Sequence, residues 1–169
     1  IAALRGQRVR FVSTDVYLFR DETEIARSLN TRVDREVAAA TVDHRRLLRK
    51  NSIPTSSVLA EKAILMHQPF IEDPRYKAIE DYHCWLSIHQ HEIDRSCKLC
   101  IPLVYYRLTQ SSISKSKTRM LGKNYLLYSE YVVNGKKLGI RKYFYLGTYV
   151  WCSLVDRLGR MLPRFAAYS

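Results

Sequence analysis

The sequence predicts an α/β protein, and two observations carry that prediction. Segments with strand-like alternation and segments with helical periodicity follow one another along the chain, which is typical of layered α/β architectures. The chain has 169 residues, 47% of them hydrophobic and 26% charged, which is ordinary for a domain that buries a core. This composition argues against a disordered chain. No apolar run reaches the length that a membrane-spanning helix needs.

The N-terminal part begins with a predicted strand at residues 8–13, where apolar and polar residues alternate; residues 15–19 could extend it. Residues 20–41 are polar with weak periodicity and predict an excursion over the surface. The next segment, 42–50, has the pattern of a short helix with Leu47 and Leu48 inward.

Residues 51–57 break this helix, because Pro54 disfavours helical geometry at the residue before it. Residues 58–66 are apolar again and fit either a strand followed by a turn or a short helix. A loop over 68–75 then leads into a helix that begins at Glu80 and Asp81, two acids that the helix dipole stabilises in a first turn.

The C-terminal part predicts a strand over 97–106 and a loop over 109–117, which is dense in Ser and Lys. Two helices, at 119–133 and 140–158, are expected to close the chain. The first residues show neither an initiator Met nor the basic-then-apolar pattern of a signal peptide. We therefore expect a chain entered partway through.

Basic residues are in excess, with 28 Lys and Arg against 16 Asp and Glu, and the formal net charge is +12. From Ser111 onward there are eleven basic residues and two acidic ones. Such a patch favours an anionic partner: a nucleotide phosphate, a nucleic acid or an acidic lipid surface.

The four cysteines do not form a disulfide-rich pattern and suit a reducing compartment. His89 and His91, followed by Cys97 and Cys100, are residue types that bind zinc. In the predicted strand, however, Cys97 and Cys100 project to opposite faces and cannot share one metal ion. The sequence therefore disfavours a zinc site.

Glu80 and Asp81 stand at the start of an amphipathic segment that contains Trp85. A carboxylate held at a helix start beside a large aromatic ring is a candidate general base facing a sugar hydroxyl. Taken alone, the segment fits an ordinary packed helix with a charged first turn better than it fits a catalytic site.

Five segments, taken in order, resemble the second half of the family 2 glycosyltransferases, which have the GT-A fold. They are STDVY (13–17), LLRKNSIPTSSV (47–58), EDYHCWL (80–86), IPLVYYR (101–107) and SISKSK (112–117). The resemblance implies a partial GT-A (Rossmann-like) fold with a mixed sheet and C-terminal helices. Residues 1–118 would be the C-terminal part of that domain, and residues 119–169 a basic, aromatic helical tail.

The resemblance implies an enzyme that transfers a sugar from a nucleotide-sugar donor to an acceptor hydroxyl with inversion at the anomeric carbon. Cell-surface polysaccharide biosynthesis in a bacterial envelope is the expected setting. The acceptor would be a saccharide or a lipid-linked saccharide. The location would be cytoplasmic, with possible peripheral contact at the inner face of the membrane.

The resemblance also assigns roles to residues. Asp81 would be the catalytic base, and Glu80 would orient the acceptor or tune Asp81 through like-charge repulsion. Trp85 would form an apolar wall under the acceptor sugar, with a core anchor of the helix as an equally good alternative. The acceptor-binding loop would contribute Asn51, Ser52, Thr55 and Ser56, for which turn chemistry and a helix cap are the alternative. The donor phosphates would be bound by Arg107, Lys115 and Lys117.

The sequence departs from the family in two places. These enzymes bind Mn²⁺ or Mg²⁺ on the diphosphate through an Asp-x-Asp motif, and no Asp-x-Asp occurs in this sequence. Leu108 and Thr109 follow the Tyr-Arg pair, where family members often have a His. We therefore assign no metal ligand here and expect this chain to be inactive without a nucleotide-binding N-terminal half.

Two alternatives use the basic C-terminal part differently. A nucleic-acid-binding module without enzymatic activity would use its charge on phosphates and its tyrosines for stacking on bases. Residues 139–151 mix aromatic and basic residues, as helices lying at a membrane interface do. A helix that only packs back on the domain is the alternative, and we expect packing together with peripheral membrane contact.

Overall fold

A computed structural model describes residues 9–23, 25, 37–109 and 117–161, and the side chains of these except at 117 and 156–161. The fold is mixed α/β: a four-stranded sheet carries helices, and a small two-stranded sheet joins the last two helices. None of the described helices has the length and apolar character needed to cross a membrane.

The main sheet has the strand order β2-β4-β1-β3. Its strands are β1 (Phe11–Phe19), β2 (Ala39–Asp43), β3 (Leu59–Ala60) and β4 (Arg95–Arg107). The central strands β1 and β4 run parallel, whereas β2 pairs with β4 and β3 pairs with β1 in the antiparallel sense. The sheet is therefore mixed. Its edge strands cover only the first halves of β1 and β4.

Five α-helices and two short 3₁₀ helices occupy the described part of the chain. The α-helices are α1 (His44–Arg49), α2 (Lys62–His67), α3 (Glu80–His91), α4 (Lys117–Glu130) and α5 (Arg141–Met161). The 3₁₀ helices are Thr55–Ser57 and Pro74–Tyr76. Strands β5 (Val132–Val133) and β6 (Lys136–Lys137) form the hairpin between α4 and α5.

Helix α3 lies at the centre of the core. Seven of its twelve residues are buried, which leaves little room for a polar face. It packs against Phe11 of β1, Leu47 and Leu48 of α1, and Leu127 and Tyr128 of α4. Each of these five side chains is less than about 5% exposed. Helix α3 is therefore held in place on several sides, and so is the chain segment that leads into it.

The structure confirms most predicted elements in this region. Leu47 and Leu48 face inward on α1, the chain breaks at 51–54, and α3 begins at Glu80. Residues 58–66 contain both suggested elements, β3 and then α2. The predicted strand at 8–13 begins later, at Phe11, and it includes the suggested extension over 15–19, because β1 pairs with β4 as far as Phe19.

Two predictions were wrong in part. Residues 39–41, predicted as surface excursion, and residues 42–43, predicted as the start of a helix, form β2, which pairs with β4 from Ala39↔Leu99 to Asp43↔Arg95. This long-range pairing decides a segment whose own pattern is weak. The helix predicted for 119–133 ends at Glu130, and Asn134-Gly135, both with positive φ, turns the β5–β6 hairpin. The loop predicted for 109–117 lies almost wholly outside the described residues.

Candidate functional site

The site is built around the first turn of α3. The chain reaches it through the 3₁₀ helix Pro74–Tyr76 and through Ala78, whose φ of 77° lies in the left-handed region. For a residue with a Cβ this conformation costs about 1–2 kcal/mol. The bend at Ala78 sets the direction in which α3 leaves the loop, and so the direction of the Glu80 and Asp81 carboxylates.

Asp81 is half-buried and is held by two donors. The Thr55 hydroxyl donates to Oδ2, and the backbone N–H of Tyr82 donates to Oδ1 over 2.6 Å. A carboxylate has about four acceptor positions, so these two bonds leave acceptor capacity on both oxygens. Thr55 is exposed, so this pair lies at the protein surface and a dissolved molecule can reach it.

The loop that carries Thr55 is attached to the two central strands of the sheet. The Ser57 hydroxyl lies 2.9 Å from the Thr14 carbonyl oxygen, and the Thr14 N–H donates back to Ser57 Oγ over 3.2 Å. Lys98 of β4 adds a second attachment: its Nζ lies 3.0 Å from the Ser52 carbonyl oxygen and 2.7 Å from Asp15 Oδ1. These bonds join β1, β4 and residues 52–57 into one unit.

Three of the five segments that carry the family resemblance therefore meet. Thr14 and Asp15 belong to the first of them, Ser52 and Thr55 to the second, and Asp81 to the third. The Thr55–Asp81 hydrogen bond links the second segment to the third.

Several buried polar side-chain atoms have no hydrogen-bond partner. Within the described part of the chain, five buried side-chain N or O atoms have no hydrogen-bond partner, and all five lie on β1, on the loop after α1 or on α3. They are Ser13 Oγ, Ser52 Oγ, Glu80 Oε2, His83 Nδ1 and Trp85 Nε1. Leaving such an atom unpaired costs about 1–3 kcal/mol. Among them, Ser52 Oγ and Glu80 Oε2 belong to the segments that meet at Asp81, where bound water or a ligand would complete their hydrogen bonding.

Trp85 is 1% exposed and lies in the core. Its ring meets Phe11 and Phe70 edge-on, with centroids 5.2 and 5.6 Å away. Of the two roles expected for this residue, the structure shows the core anchor. The role as a wall for the acceptor sugar stays a prediction, and it would require Trp85 to move.

The remaining acceptor-loop residues do different things. Asn51 Oδ1 accepts from the Ile53 N–H over 3.2 Å, which is the turn chemistry expected as the alternative for this residue. Ser52 is half-buried, and Ser56 is exposed beside Thr55. Thr55 and Ser56 are thus the two loop side chains that present hydroxyls to solvent next to Asp81.

Of the predicted phosphate-binding residues, Arg107 is not assembled with Asp81. Arg107 ends β4, nine residues or about 30 Å along the strand from Lys98. There its guanidinium donates to Glu22 over 2.8 Å and lies over the Phe19 ring. Lys115 and the side chain of Lys117 lie outside the described residues. Lys98 is the cation that the structure places near the site, and the sequence analysis missed it.

A lysine in the interior of an otherwise apolar strand is the signal that could have identified Lys98. Its side chain is 17% exposed, and charged side chains are seldom buried unless they are paired. Its partner Asp15 also had a sequence signal, since it belongs to the STDVY segment.

The thiol nearest to the carboxylates is unreactive. Cys84 donates to the Gln68 carbonyl oxygen over 3.1 Å, and burial, assisted by the charge of Asp81, raises the pKa of this thiol to about 12. A nucleophilic cysteine needs a lowered pKa. The groups at the start of α3 that can take part in acid–base chemistry are therefore the carboxylates of Glu80 and Asp81.

His89 is held within the core. Its Nδ1 donates to the Trp85 carbonyl oxygen over 2.7 Å, and its Nε2 lies 2.8 Å from Ser96 Oγ. Burial lowers the pKa of His89 to about 4, against the raising effect of the Trp85 hydrogen bond. Both ring nitrogens thus contact protein groups.

Of the two cysteines on β4, Cys97 is buried and Cys100 is exposed, which fits the expected projection to opposite faces.

Among the described residues, no group of three or more His, Cys, Asp or Glu side chains is arranged to hold a metal ion. The Mn²⁺ or Mg²⁺ that the resemblance implies needs several oxygen ligands. The other carboxylates in the three segments that meet here are Glu80, which has an enclosed oxygen, and Asp15, which is paired with Lys98. These residues do not fit a divalent cation.

Comparison with known proteins returned no family model, no curated protein and no solved structure that matches this chain.

Proposed function

We propose that this chain is the acceptor-side part of an inverting glycosyltransferase with a GT-A fold, in which Asp81 is the catalytic base. The observation that supports this most is the Thr55–Asp81 hydrogen bond. It joins the two sequence segments that the resemblance assigns to acceptor binding and to catalysis, which stand 26 residues apart.

In the proposed reaction Asp81 accepts the proton of an acceptor hydroxyl. The hydroxyl oxygen then forms a bond to the anomeric carbon of the donor sugar, and the bond from that carbon to the nucleotide diphosphate breaks with inversion. The proton stays on Asp81, and the electron pair leaves with the diphosphate. A carboxylate does this well when it has open acceptor positions within hydrogen-bond reach of the hydroxyl.

Thr55 is proposed to position the base. Its hydroxyl fixes Oδ2 of Asp81 and leaves the other lone pairs of the carboxylate for the acceptor. Glu80, next along α3, has an enclosed oxygen without a donor. A hydroxyl that reached this oxygen would relieve an unpaired acceptor, and this would contribute to acceptor binding.

Binding of the nucleotide-sugar donor needs protein groups other than those that meet at Asp81. Lys98 is already paired with Asp15, and Arg107 with Glu22. We therefore propose that turnover requires a nucleotide-binding part carrying an Asp-x-Asp motif, joined to this chain or added to it. The sugar would be destined for a cell-surface polysaccharide.

The test is transfer or hydrolysis of a UDP-sugar, with Mn²⁺ or Mg²⁺ present, by the polypeptide that includes the nucleotide-binding part. Asp81→Asn is expected to lower turnover on the order of 10²- to 10⁴-fold, the range typical of a lost general base. The matched control is Asp94→Asn, the same chemical change at an exposed residue just beyond the other end of α3. Unchanged turnover in Asp81→Asn, with the control also active, would show that Asp81 is not the base.

A further inference from the structure

Helix α5 has two dissimilar faces. The inner face packs on the protein: Tyr145 and Leu146 contact the core cluster, and the Tyr145 ring lies 6.0 Å from that of Tyr128. Thr148 lies 3.3 Å from the Arg49 carbonyl oxygen. These contacts fix the rotation of α5 about its own axis, and so determine which residues point outward.

The outer face is apolar and exposed. Trp151 is 68% exposed, Phe144 60% and Ile140, just before the helix, 83%. The other large exposed side chains on this face are Tyr143, Val150, Leu154 and Val155. At 100° per residue these positions fall on one continuous stripe. We call it the α5 stripe, and it contains no charged residue.

Contiguous exposed apolar surface of this kind is uncommon on a protein that works alone in water, and it marks an interaction site. Single exposed apolar residues need no such explanation. The α5 stripe differs because seven large side chains lie side by side over four turns of one helix.

Charge identifies the kind of partner. Residues 131–155 include four basic residues and no acidic one. Lys136, Lys137 and Arg141 are exposed at the end of the stripe that contains Ile140. The fourth, Lys142, lies over the rings of Tyr125 and Tyr143, 4.6 and 5.2 Å from their centroids. The cations are therefore held beside the apolar stripe, with no carboxylate in this segment to neutralise them.

Aromatic residues also match a lipid surface. Trp and Tyr are enriched where a bilayer meets water, because their rings are apolar at one end and hydrogen-bond at the other. Helix α5 does not meet the requirements for crossing a membrane. A helix with an apolar face and adjacent cations lies in the plane of the interface instead.

We propose that the α5 stripe docks on the surface of a membrane containing anionic phospholipids, with Lys136, Lys137 and Arg141 on the headgroups. Phe144, Trp151 and Leu154 enter the boundary between headgroups and acyl chains. The inner face of α5 keeps its contacts with α1 and α4. Docking therefore needs no unfolding of the helix from the domain.

The experiment is co-sedimentation of this chain with phosphatidylcholine vesicles that do or do not contain phosphatidylglycerol. Wild type is expected to bind the anionic vesicles more tightly. Phe144→Ser with Trp151→Ser is expected to weaken that binding on the order of tenfold or more, since two large apolar side chains are lost from the contact. The matched control is Leu59→Ser with Met66→Ser, at positions 75% and 70% exposed away from α5, and it should bind as wild type does.

A second pair of variants tests the electrostatic part. Lys136→Gln with Lys137→Gln is expected to lower affinity for the anionic vesicles by roughly fivefold per lysine and to reduce its salt dependence. Lys62→Gln with Lys77→Gln removes the same charge from exposed positions elsewhere and should change affinity much less. Equal losses in the two pairs would mean that only net charge matters, and would overturn docking through this face.

The proposal does not depend on catalysis, so Asp81→Asn should bind vesicles as wild type does. Circular dichroism of each variant shows whether it is folded. Vesicle binding that is absent, or that survives in the folded Phe144→Ser/Trp151→Ser variant, would overturn the proposal. So would stripe-dependent dimerisation without vesicle binding, or stripe-dependent binding of single-stranded RNA in place of vesicles.

Discussion

Helices α3 and α5 each carry one of the two tryptophans, and the environments of these residues are opposite. Trp85 of α3 is 1% exposed between two phenylalanines, whereas Trp151 of α5 is 68% exposed. Both helices are rich in aromatic residues. Helix α3 is covered on several sides, which leaves Glu80 and Asp81 half-buried at its start and His91 exposed at its end. Helix α5 is covered on one side.

The comparison teaches what an apolar helical pattern does and does not determine. Such a pattern determines that one face of the helix will be removed from water. It does not determine whether the rest of the protein or another partner covers that face. On α3 the cover is the rest of the domain, and the Asp81 carboxylate in its first turn stays half-buried. On α5 the outer face has no protein cover among the described residues, and its neighbours are cations.

The largest expected contrast is in stability without lipid. Trp85→Ala should lower the free energy of unfolding by about 3–5 kcal/mol, because it opens a cavity against Phe11 and Phe70. Trp151→Ala should change it by no more than about 0.5 kcal/mol. Urea unfolding of both variants measures the difference. Similar losses would show that Trp151 is packed in the protein, and the comparison would fail.

The free energy of unfolding should depend on pH because His89 of α3 is buried. The folded-state pKa of His89 is about 4, below its ordinary 6.5, chiefly because of burial. The unfolded chain therefore binds the proton more readily between these values. Stability is then fully present above pH 6.5 and falls on the order of 3 kcal/mol as the pH drops to 4. Burial also lowers the pKa of His44 and of His83, which acts in the same direction.

Urea unfolding at pH 7 and at pH 4.5 measures this effect, and His89→Gln should flatten the dependence. Its control is the wild type at both pH values in matched salt. Equal stability of the wild type at the two pH values would contradict the burial of His89.

A smaller contrast is expected for hydroxyl groups. The Tyr82 hydroxyl of α3 donates to the Leu47 carbonyl oxygen over 2.6 Å and is buried. Tyr82→Phe should cost about 0.5–1.5 kcal/mol, because the Leu47 carbonyl oxygen loses this donor and keeps only the Lys50 N–H. Tyr143→Phe on α5, at a side chain 57% exposed, should have almost no effect in urea unfolding. A neutral Tyr82→Phe would mean that water replaces the lost donor.

The smallest effects concern added methyl groups. An added Cβ at Gly147, on the outer face of α5, meets nothing within 4 Å. Gly147→Ala should therefore stabilise the protein by about 0.5–1 kcal/mol through helix propensity. Gly135 also has open space but a φ of +77°, so Gly135→Ala should destabilise it by about 1 kcal/mol. A loss of stability in Gly147→Ala would show that the outer face of α5 is covered.

Local patterns predicted most of the fold. The breaks at Pro54 and before Glu80, the inward leucines of α1 and the strand after residue 95 all follow from residue types and spacing. Strand β2 could not be found in this way, because its five residues depend on pairing with β4. The β5–β6 hairpin did have a local signal, Asn134-Gly135, which the helical pattern around it obscured.

The candidate site was predicted less completely than the fold. The proximity of Thr55 to Asp81 is compatible with the order of the family-like segments, but the bond itself depends on the path of the loop after α1. Lys98 was missed because its role depends on Asp15 across the parallel pair of strands. The outward rotation of the α5 stripe depends on the contacts of Tyr145 and Leu146, which periodicity does not supply.

Quenching of tryptophan fluorescence by acrylamide tests the contrast between the two helices most directly. Without lipid, Trp151 should be quenched and Trp85 protected. Vesicles containing phosphatidylglycerol should then protect Trp151 and shift its emission to the blue, while Trp151→Phe, which retains only Trp85, should show no change on adding vesicles. Unchanged quenching of the wild type, or an equal change in Trp151→Phe, would contradict the account.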